Sequence, residues 1–392
     1  MMQQRLPTPD DTGPRRIVLL QTQAEGAGAQ EISRILAQGL TARGHDVHQV
    51  FLFRRTSAFD AAANAVFCAD RRPTGLASLT RMLALLLGHL RRLRPDVVLC
   101  FQHYGNLIGA PMARLSGAPA VIANLNSAKA QMPAIVREID TLFGTIGLYS
   151  AIVANSKNVE DEYGDHPRRY VARLGRIDHG FEPKTSPLSR PAARAALGLP
   201  AAPQLLGCAA RLHPLKNISA AIRLLAHESR WHLALAGQGS EKIALEGLAA
   251  ELGCAERVHF LGELSPGGVG TFLRALDVFV FPSMSETFGL AVVEAAQAGV
   301  PVVANRLDVL EEVLAVGTEP CALFVDVNDT PAFAAQVRRV LDDTMLAETL
   351  TARSRQLNAR YSFDTMVDRY AALIENVLRG RGSQFGLGQP CN

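Results

Sequence analysis

Residues 278–304, VFVFPSMSETFGLAVVEAAQAGVPVVA, read in succession as strand, loop, helix and strand. Val278–Phe281 is the unbroken apolar run that a strand buried on both faces requires. A polar loop follows Pro282, and an apolar helix starts near Gly289. Gly299 stands where a helix ends on a left-handed residue, and Val300-Pro301 opens the next strand. Two glutamates interrupt this pattern, Glu286 in the loop and Glu294 among Leu290, Ala291, Val292, Val293, Ala295 and Ala296. A charge in such surroundings is costly unless strong hydrogen-bond donors meet it.

The same rhythm extends in both directions. RRIVLLQTQ reads as a buried strand and AEGAGA as a loop. QEISRILAQGLTARG reads as a helix with Ile32, Ile35, Leu36 and Leu40 on one face. HDVHQVFLF, DVVLCF, AVIAN and SAIVANS read as further strands, with helices over about 77–93 and 107–115. The prolines of EPKTSPLSRPAARAALGLPAAP break the alternation. It then resumes with QLLGCAARL, HLALAG, RVHFLG, VFVFP and VPVVAN, separated by helices over 217–228, 240–252 and 268–276. Alternation of this kind predicts doubly wound parallel sheets. The expected organisation is a disordered start (1–14), an N-terminal domain (15–185), a linker (186–203), a C-terminal domain (204–362), a closing helix (363–380) and a disordered tail (381–392).

A chain of 392 residues is too long for one ordinary core, which fits two domains. Hydrophobic content of 48% and charged content of 20% suit a well-packed globule. A net charge of +3 does not point to nucleic acid. Six cysteines without a C-x-x-C pair suit reduced thiols in a cytosol better than disulfides or zinc. The start, MMQQRLPTPDDTGPRR, does not read as a signal peptide, and MLALLLGHL is too short to span a bilayer.

Two open α/β domains are expected to place their chemistry at the carboxyl ends of strands, facing a cleft. Phe288 and Gly289 fall at a helix N-terminus, where N–H groups attract phosphate. Glu294 reads as a carboxylate held by two sugar hydroxyls or as a structural ion pair; Glu286 reads as a ligand group or a solvated loop carboxylate. In AARLHPLKNIS, Arg211 and Lys216 would set two cations at a strand mouth, suited to a diphosphate, with Asn217 as the cap of the following helix. Taken alone, they read as two surface charges on a solvated loop. Gly26 and Gly28 follow the first strand, but Glu31 replaces the third glycine of a dinucleotide fingerprint, which weighs against a nicotinamide oxidoreductase.

PSMSETFGLAVVEAAQAGVPVVA closely resembles the E-x7-E signature of the family 4 glycosyltransferases, and ARLHPLKN resembles their paired Arg/Lys loop. GAQEISRILAQGLTARGHDV, AIVANS, RIDHGFEP and YSFDTMVDRYAALIENVL are similar to other segments of that family, in order along nearly the whole chain. The resemblance implies a GT-B fold of two Rossmann-like domains, with the closing helix crossing back to the first. It also implies retaining transfer of a sugar from a nucleotide-diphosphate sugar, with no cofactor and no metal. Carried over, it makes Glu286, Lys216 and Arg211 the catalytic candidates, with Glu286 at the donor sugar, Glu294 on the ribose hydroxyls and Thr287 among the donor-binding residues. Arg211, Lys216 and the N–H groups of Phe288 and Gly289 would hold the diphosphate, with Gly28 closing over it. Leu261 and Leu264 would lie along the nucleobase.

Three departures accompany the resemblance. Ala27 replaces the first loop glycine, His179 replaces the usual asparagine before Gly180, and Asn126 stands where many members carry a histidine. Asn126 and His103, in CFQHYGN, are the acceptor-side candidates. No nucleophile is evident opposite the donor, so front-face displacement is the expected mechanism. UDP is the favoured nucleotide, with GDP allowed. The acceptor would be a glycan, lipid-linked or small-molecule hydroxyl, in cell-envelope polysaccharide or glycolipid synthesis. TRMLALLLGHLRRLRP and RRYVARLGR pair apolar and basic residues, which suits a cytoplasmic protein touching the inner face of an anionic membrane, or an ordinary core-facing helix with a solvated basic end. A nucleotide-sugar epimerase and an inactive nucleotide-sugar-binding protein are the alternatives.

Overall fold

The computed structural model describes residues 13–380 except 25–27, 57, 58, 61, 63, 128 and 202. Almost all of the two ends expected to be disordered, and the loop residues Gly26 and Ala27, lie outside the described residues. The chain forms two compact units. Unit 1 runs to Phe181 and resumes at Ser362; unit 2 is Glu182–Tyr361.

Unit 1 is built on seven parallel strands: β1 (Arg16–Ala24), β2 (Asp46–Arg54), β3 (Ala65–Phe67), β4 (Val97–Phe101), β5 (Ala120–Leu125), β6 (Ala151–Ala154) and β7 (Leu174–Arg176). Their order is β3-β2-β1-β4-β5-β6-β7, with Ile17 paired to Val47 on one side and Val97 on the other. Ile17–Leu20 and Val97–Phe101 are fully buried on both faces, as their unbroken apolar runs require. The three-residue edge strands β3 and β7 escape sequence reading, because AVF and LGR are too short to carry a period.

The closing helix Phe363–Leu378 belongs to unit 1. Ser362 caps it, and Met366, Val367, Tyr370, Leu373 and Ile374 form its buried stripe. It packs on the helix Gly28–Ala42. Arg15 binds Glu375 in a two-pronged pair (2.8 and 3.0 Å), and Tyr370 Oη donates to Asn124 Oδ1 at 2.7 Å. The closing helix thus returns to the unit that carries β1, as the resemblance implied. The helix Leu76–Leu93 buries Met82, Leu86 and Leu90 and leaves Leu76, Leu79, Leu85 and four arginines, Arg81, Arg91, Arg92 and Arg94, at the surface or beside it.

Unit 2 repeats the plan with β8 (Gln204–Ala209), β9 (Trp231–Ala236), β10 (Val258–Gly262), β11 (Val278–Phe281) and β12 (Val302–Asn305). A short hairpin of β13 (Ala315–Val316) and β14 (Glu319–Pro320) precedes β15 (Leu323–Val325). The six-stranded parallel order is β10-β9-β8-β11-β12-β15. Residues 186–203, expected as a linker, instead pack into unit 2 through the helix Arg190–Ala196. Arg194 explains this: its side chain is buried, binds Asp277 Oδ2 at 2.7 Å and donates to the carbonyls of Ala275, Ala201 and Pro203. An arginine in an alanine-rich, proline-flanked stretch reads as solvated until this carboxylate partner is known.

His179 closes unit 1, buried, with Nε2 3.2 Å from Asn155 Nδ2. Burial pushes its pKa from 6.5 to about 3. As pH falls the unfolded chain protonates first, so stability is full above about pH 6.5 and declines from there toward pH 3. The expected loss is about 1.4 kcal/mol per pH unit in that window. His179→Asn, which supplies the residue the resemblance makes usual, should flatten the slope. Urea melts at about pH 7.5 and about pH 5.5 test this; equal acid losses in both proteins would contradict it.

Candidate functional site

β8 and β11 are neighbours in the sheet, although β9 and β10 lie between them in sequence. Such a switch point opens a crevice at the carboxyl ends of the strands, where ligands of open α/β sheets bind. Both motifs of unit 2 emerge there. After β8 the chain passes Arg211, which is exposed, and a single 3-10 turn, Pro214–Lys216, before the helix Ile218–Leu224. Asn217 takes the expected cap position in a left-handed conformation, but its Oδ1 accepts from Ser219 Oγ (3.1 Å) rather than from a helix N–H.

After β11 the loop turns back onto this segment. Met284 N donates to Leu215 O at 2.8 Å, Ser283 Oγ donates to the same carbonyl at 3.3 Å, and Lys216 Nζ binds Glu286 Oε1 at 2.6 Å. Asn305, buried at the end of β12, holds the loop from below by donating to Ser283 O (3.0 Å). Two motifs separated by 70 residues are therefore one structure. Sequence reading missed Ser283 and Asn305, since a serine in a loop and an asparagine at a strand end carry no distinctive pattern.

Gly289 begins the helix Leu290–Gln297 at φ +82°, where a Cβ would stand 2.8 Å from Leu310 Cδ2. The angle calls for glycine. Thr287 is half-buried, and Phe288 is buried edge-on against Tyr361, with ring centres 5.1 Å apart. Glu294 lies one turn into the helix at 8% exposure, with Lys184 Nζ 3.9 Å from its Oε1. The cation near it is thus a lysine from the start of unit 2, at the outer limit of an ion pair.

A cavity of about 340 Å3 adjoins these loops, lined by Gly237, Gln238, Gly239, Lys242, Phe260 and Gly262. Phe260 and Gly262 flank Leu261, and Leu264 lies two residues further on; both leucines are half-buried. The segment Gly237-Gln238-Gly239 went unnoticed in the sequence, although a Gly-x-Gly directly after an apolar strand was a usable signal. The structure gives the reason for both glycines: a Cβ would meet Ala210 O at 1.9 Å or Leu212 O at 2.1 Å. Leu212 N donates to Gln238 O (2.9 Å) and Gly237 N to Gly262 O (2.7 Å), so the loops after β8, β9 and β10 form one wall.

In unit 1, Gly28 is the first residue of its helix and is exposed. His103 is the first residue of the helix His103–Leu115, which starts four residues earlier than expected. His103 and Asn126 line one small cavity, together with Asn106, Asn124, Asp140 and Tyr163. Burial lowers the His103 pKa from its ordinary value.

Residues 189–357 match the sequence model of the glycosyl transferases group 1 family. The D-inositol 3-phosphate glycosyltransferase of Corynebacterium urealyticum is 31% identical over 236 residues, 57% of this chain and 55% of that protein. The lipopolysaccharide core biosynthesis mannosyltransferase LpsB of Rhizobium meliloti is 26% identical over 257 residues, 62% of this chain and 68% of its own. The match thus spans little more than half of the first of these relatives. Among solved structures, Anabaena Alr3699/HepE in complex with UDP and glucose superposes with a TM-score of 0.78 at 18% identity, covering 91% of this chain and 98% of that one. WaaG, a glycosyltransferase involved in lipopolysaccharide biosynthesis, gives 0.71 at 16% identity, covering 93% and 100%. Residues 189–357 are thus similar to the glycosyl transferases group 1, and the chain has the GT-B fold.

Proposed function

We propose that the protein is a retaining glycosyltransferase that moves a sugar from a UDP-sugar to a hydroxyl of a glycan or lipid-linked acceptor. The observation that carries this reading is the joining of the two unit 2 motifs, Lys216 on Glu286, at the β8/β11 switch point beside a cavity of nucleoside size. Arg211, Lys216 and the N–H groups of Phe288 and Gly289 hold the diphosphate. On donor binding, Lys216 passes from Glu286 to the diphosphate, which frees the Glu286 carboxylate to accept from hydroxyls of the donor sugar. Glu294 accepts from the ribose hydroxyls, and the nucleobase enters the cavity lined by Phe260 and Gly262. The diphosphate, neutralised by these fixed groups, leaves on the face that the acceptor enters and takes the acceptor proton.

UDP is favoured because the structural neighbour Alr3699/HepE was solved with UDP-glucose. A lipid-linked or envelope acceptor is favoured by the lipopolysaccharide relatives and by the exposed leucines and arginines of the helix Leu76–Leu93, which suit an anionic membrane surface. No metal or cofactor enters this scheme. The test is turnover of UDP-, GDP- and ADP-sugars by the full chain in a chelator, with and without a lipid-linked acceptor extract. Sugar transfer with the anomeric configuration retained is expected. Interconversion of the free nucleotide-sugar without acceptor would identify an epimerase instead.

A further inference from the structure

The loop that bears Glu286 carries a sulfur where it meets its neighbours. Met284 Sδ accepts from Asn217 Nδ2 at 3.5 Å and from Asn305 Nδ2 at 3.7 Å. Its backbone N–H donates to Leu215 O at 2.8 Å. One residue thus touches the 3-10 turn that ends at Lys216, the cap of the next helix and the end of β12. Asn305 Nδ2 also donates to Ser283 O at 3.0 Å, so the amide that holds the loop from below is shared with the sulfur. A thioether is a weak acceptor, and both sulfur contacts are loose.

Access separates this sulfur from most others in the molecule. Met284 is 40% exposed, and its contact with Asn217 lies at the surface. Met82, Met132 and Met366 are buried, and Met112 is half-buried. Among the described methionines only Met345 is more open, 71% exposed at the start of the helix Thr344–Ser354. The thiols offer no competing target. Cys68, Cys100, Cys208, Cys254 and Cys321 are all buried. Burial pushes the pKa of Cys208, on β8, up to about 12, which leaves almost no reactive thiolate at neutral pH.

Oxidation of such a sulfur is a balanced two-electron step. A sulfur lone pair attacks one oxygen of hydrogen peroxide, the O–O bond breaks and an S–O bond forms. The proton on the attacked oxygen passes to the departing hydroxide, which leaves as water. The apolar thioether becomes a polar sulfoxide. Its oxygen accepts far more strongly than sulfur does and takes up space the thioether did not fill. The amides within reach are those of Asn217 and Asn305. Drawing Asn305 from Ser283 O releases the loop at the point where it is held from below. Glu286, two residues on, then loses its fixed place beside Lys216.

We propose that Met284 is a modification site, at which oxidation by a peroxide reversibly weakens nucleoside diphosphate binding; the proposal rests on the donor-site reading above. Full-length wild type, Met284→Leu and Met345→Leu test it, each treated with hydrogen peroxide and titrated calorimetrically with UDP against its own untreated sample. Peptide mass spectrometry locates the added oxygen. Wild type and Met345→Leu should carry it on Met284 and lose about fivefold in affinity, the worth of one hydrogen bond. Met284→Leu should keep the affinity of its untreated sample. A methionine sulfoxide reductase should restore the treated wild type, an arm that needs no variant. An equal loss in Met284→Leu overturns the proposal, as does a Met284 that stays reduced while Met345 is oxidised. The untreated wild type separates the two readings. Equal UDP binding before and after full oxidation of Met284 overturns the modification site alone, whereas no binding before treatment overturns the donor reading with it.

Discussion

Lys216→Ala should lower turnover at saturating donor by roughly 10²–10³, the loss that follows removal of one preorganised donor to a developing anion. Lys216 Nζ lies 2.6 Å from Glu286 Oε1, and the backbone that carries it is tied to the Glu286 loop through Leu215 O. The lysine therefore stands at the carboxyl end of the sheet, where the proposed diphosphate would take over its pairing. A salt bridge of purely structural purpose would give a different result. Removing the lysine would then leave Glu286 uncompensated, and the melting temperature would fall while turnover per folded molecule stayed near normal. Steady-state kinetics at full donor occupancy, read beside a thermal melt, separate the two. Near-normal turnover would remove Lys216 from the reaction.

Glu294→Gln should weaken UDP binding by about 10²-fold, equivalent to about 3 kcal/mol for hydrogen bonds to a charged acceptor. The buried carboxylate has Lys184 Nζ 3.9 Å from its Oε1. At 8% exposure, one turn into the helix that follows β11, this carboxylate is the one the proposed donor's ribose hydroxyls would meet. Glutamine keeps the shape and removes the charge, so the helix should remain folded. Isothermal titration gives the affinity directly; a variant that binds UDP as the wild type does would return Glu294 to a structural role.

Legibility followed from how local each signal was. The inner strands were readable because burial on both faces demands continuous apolar runs, as in VVLCF and VFVF. The edge strands β3, β7 and β15 were not, since three residues carry no period. Gly289 and Gly299 marked the helix between them because left-handed backbone has few alternatives to glycine. Arg194 misled, because only a partner distant in sequence, Asp277, reveals an arginine that is buried rather than solvated. The Glu286 and Lys216 motifs were each visible, but the contact between them is a tertiary fact. His103 and Asn126 were singled out separately, while Asn106, inside a helix, and Tyr163, in the turn that follows one, also line their cavity and stand in patterns that gave no sign of it.

The central claim is that unit 2 binds a nucleoside diphosphate at the joined loops after β8 and β11. Calorimetric titration of UDP, GDP and ADP into the full-length wild type, in a chelator, tests it most directly. The account predicts one-to-one binding with UDP the tightest of the three. A folded protein that binds none of them would contradict it and leave the Lys216–Glu286 pair as a structural clasp between two loops.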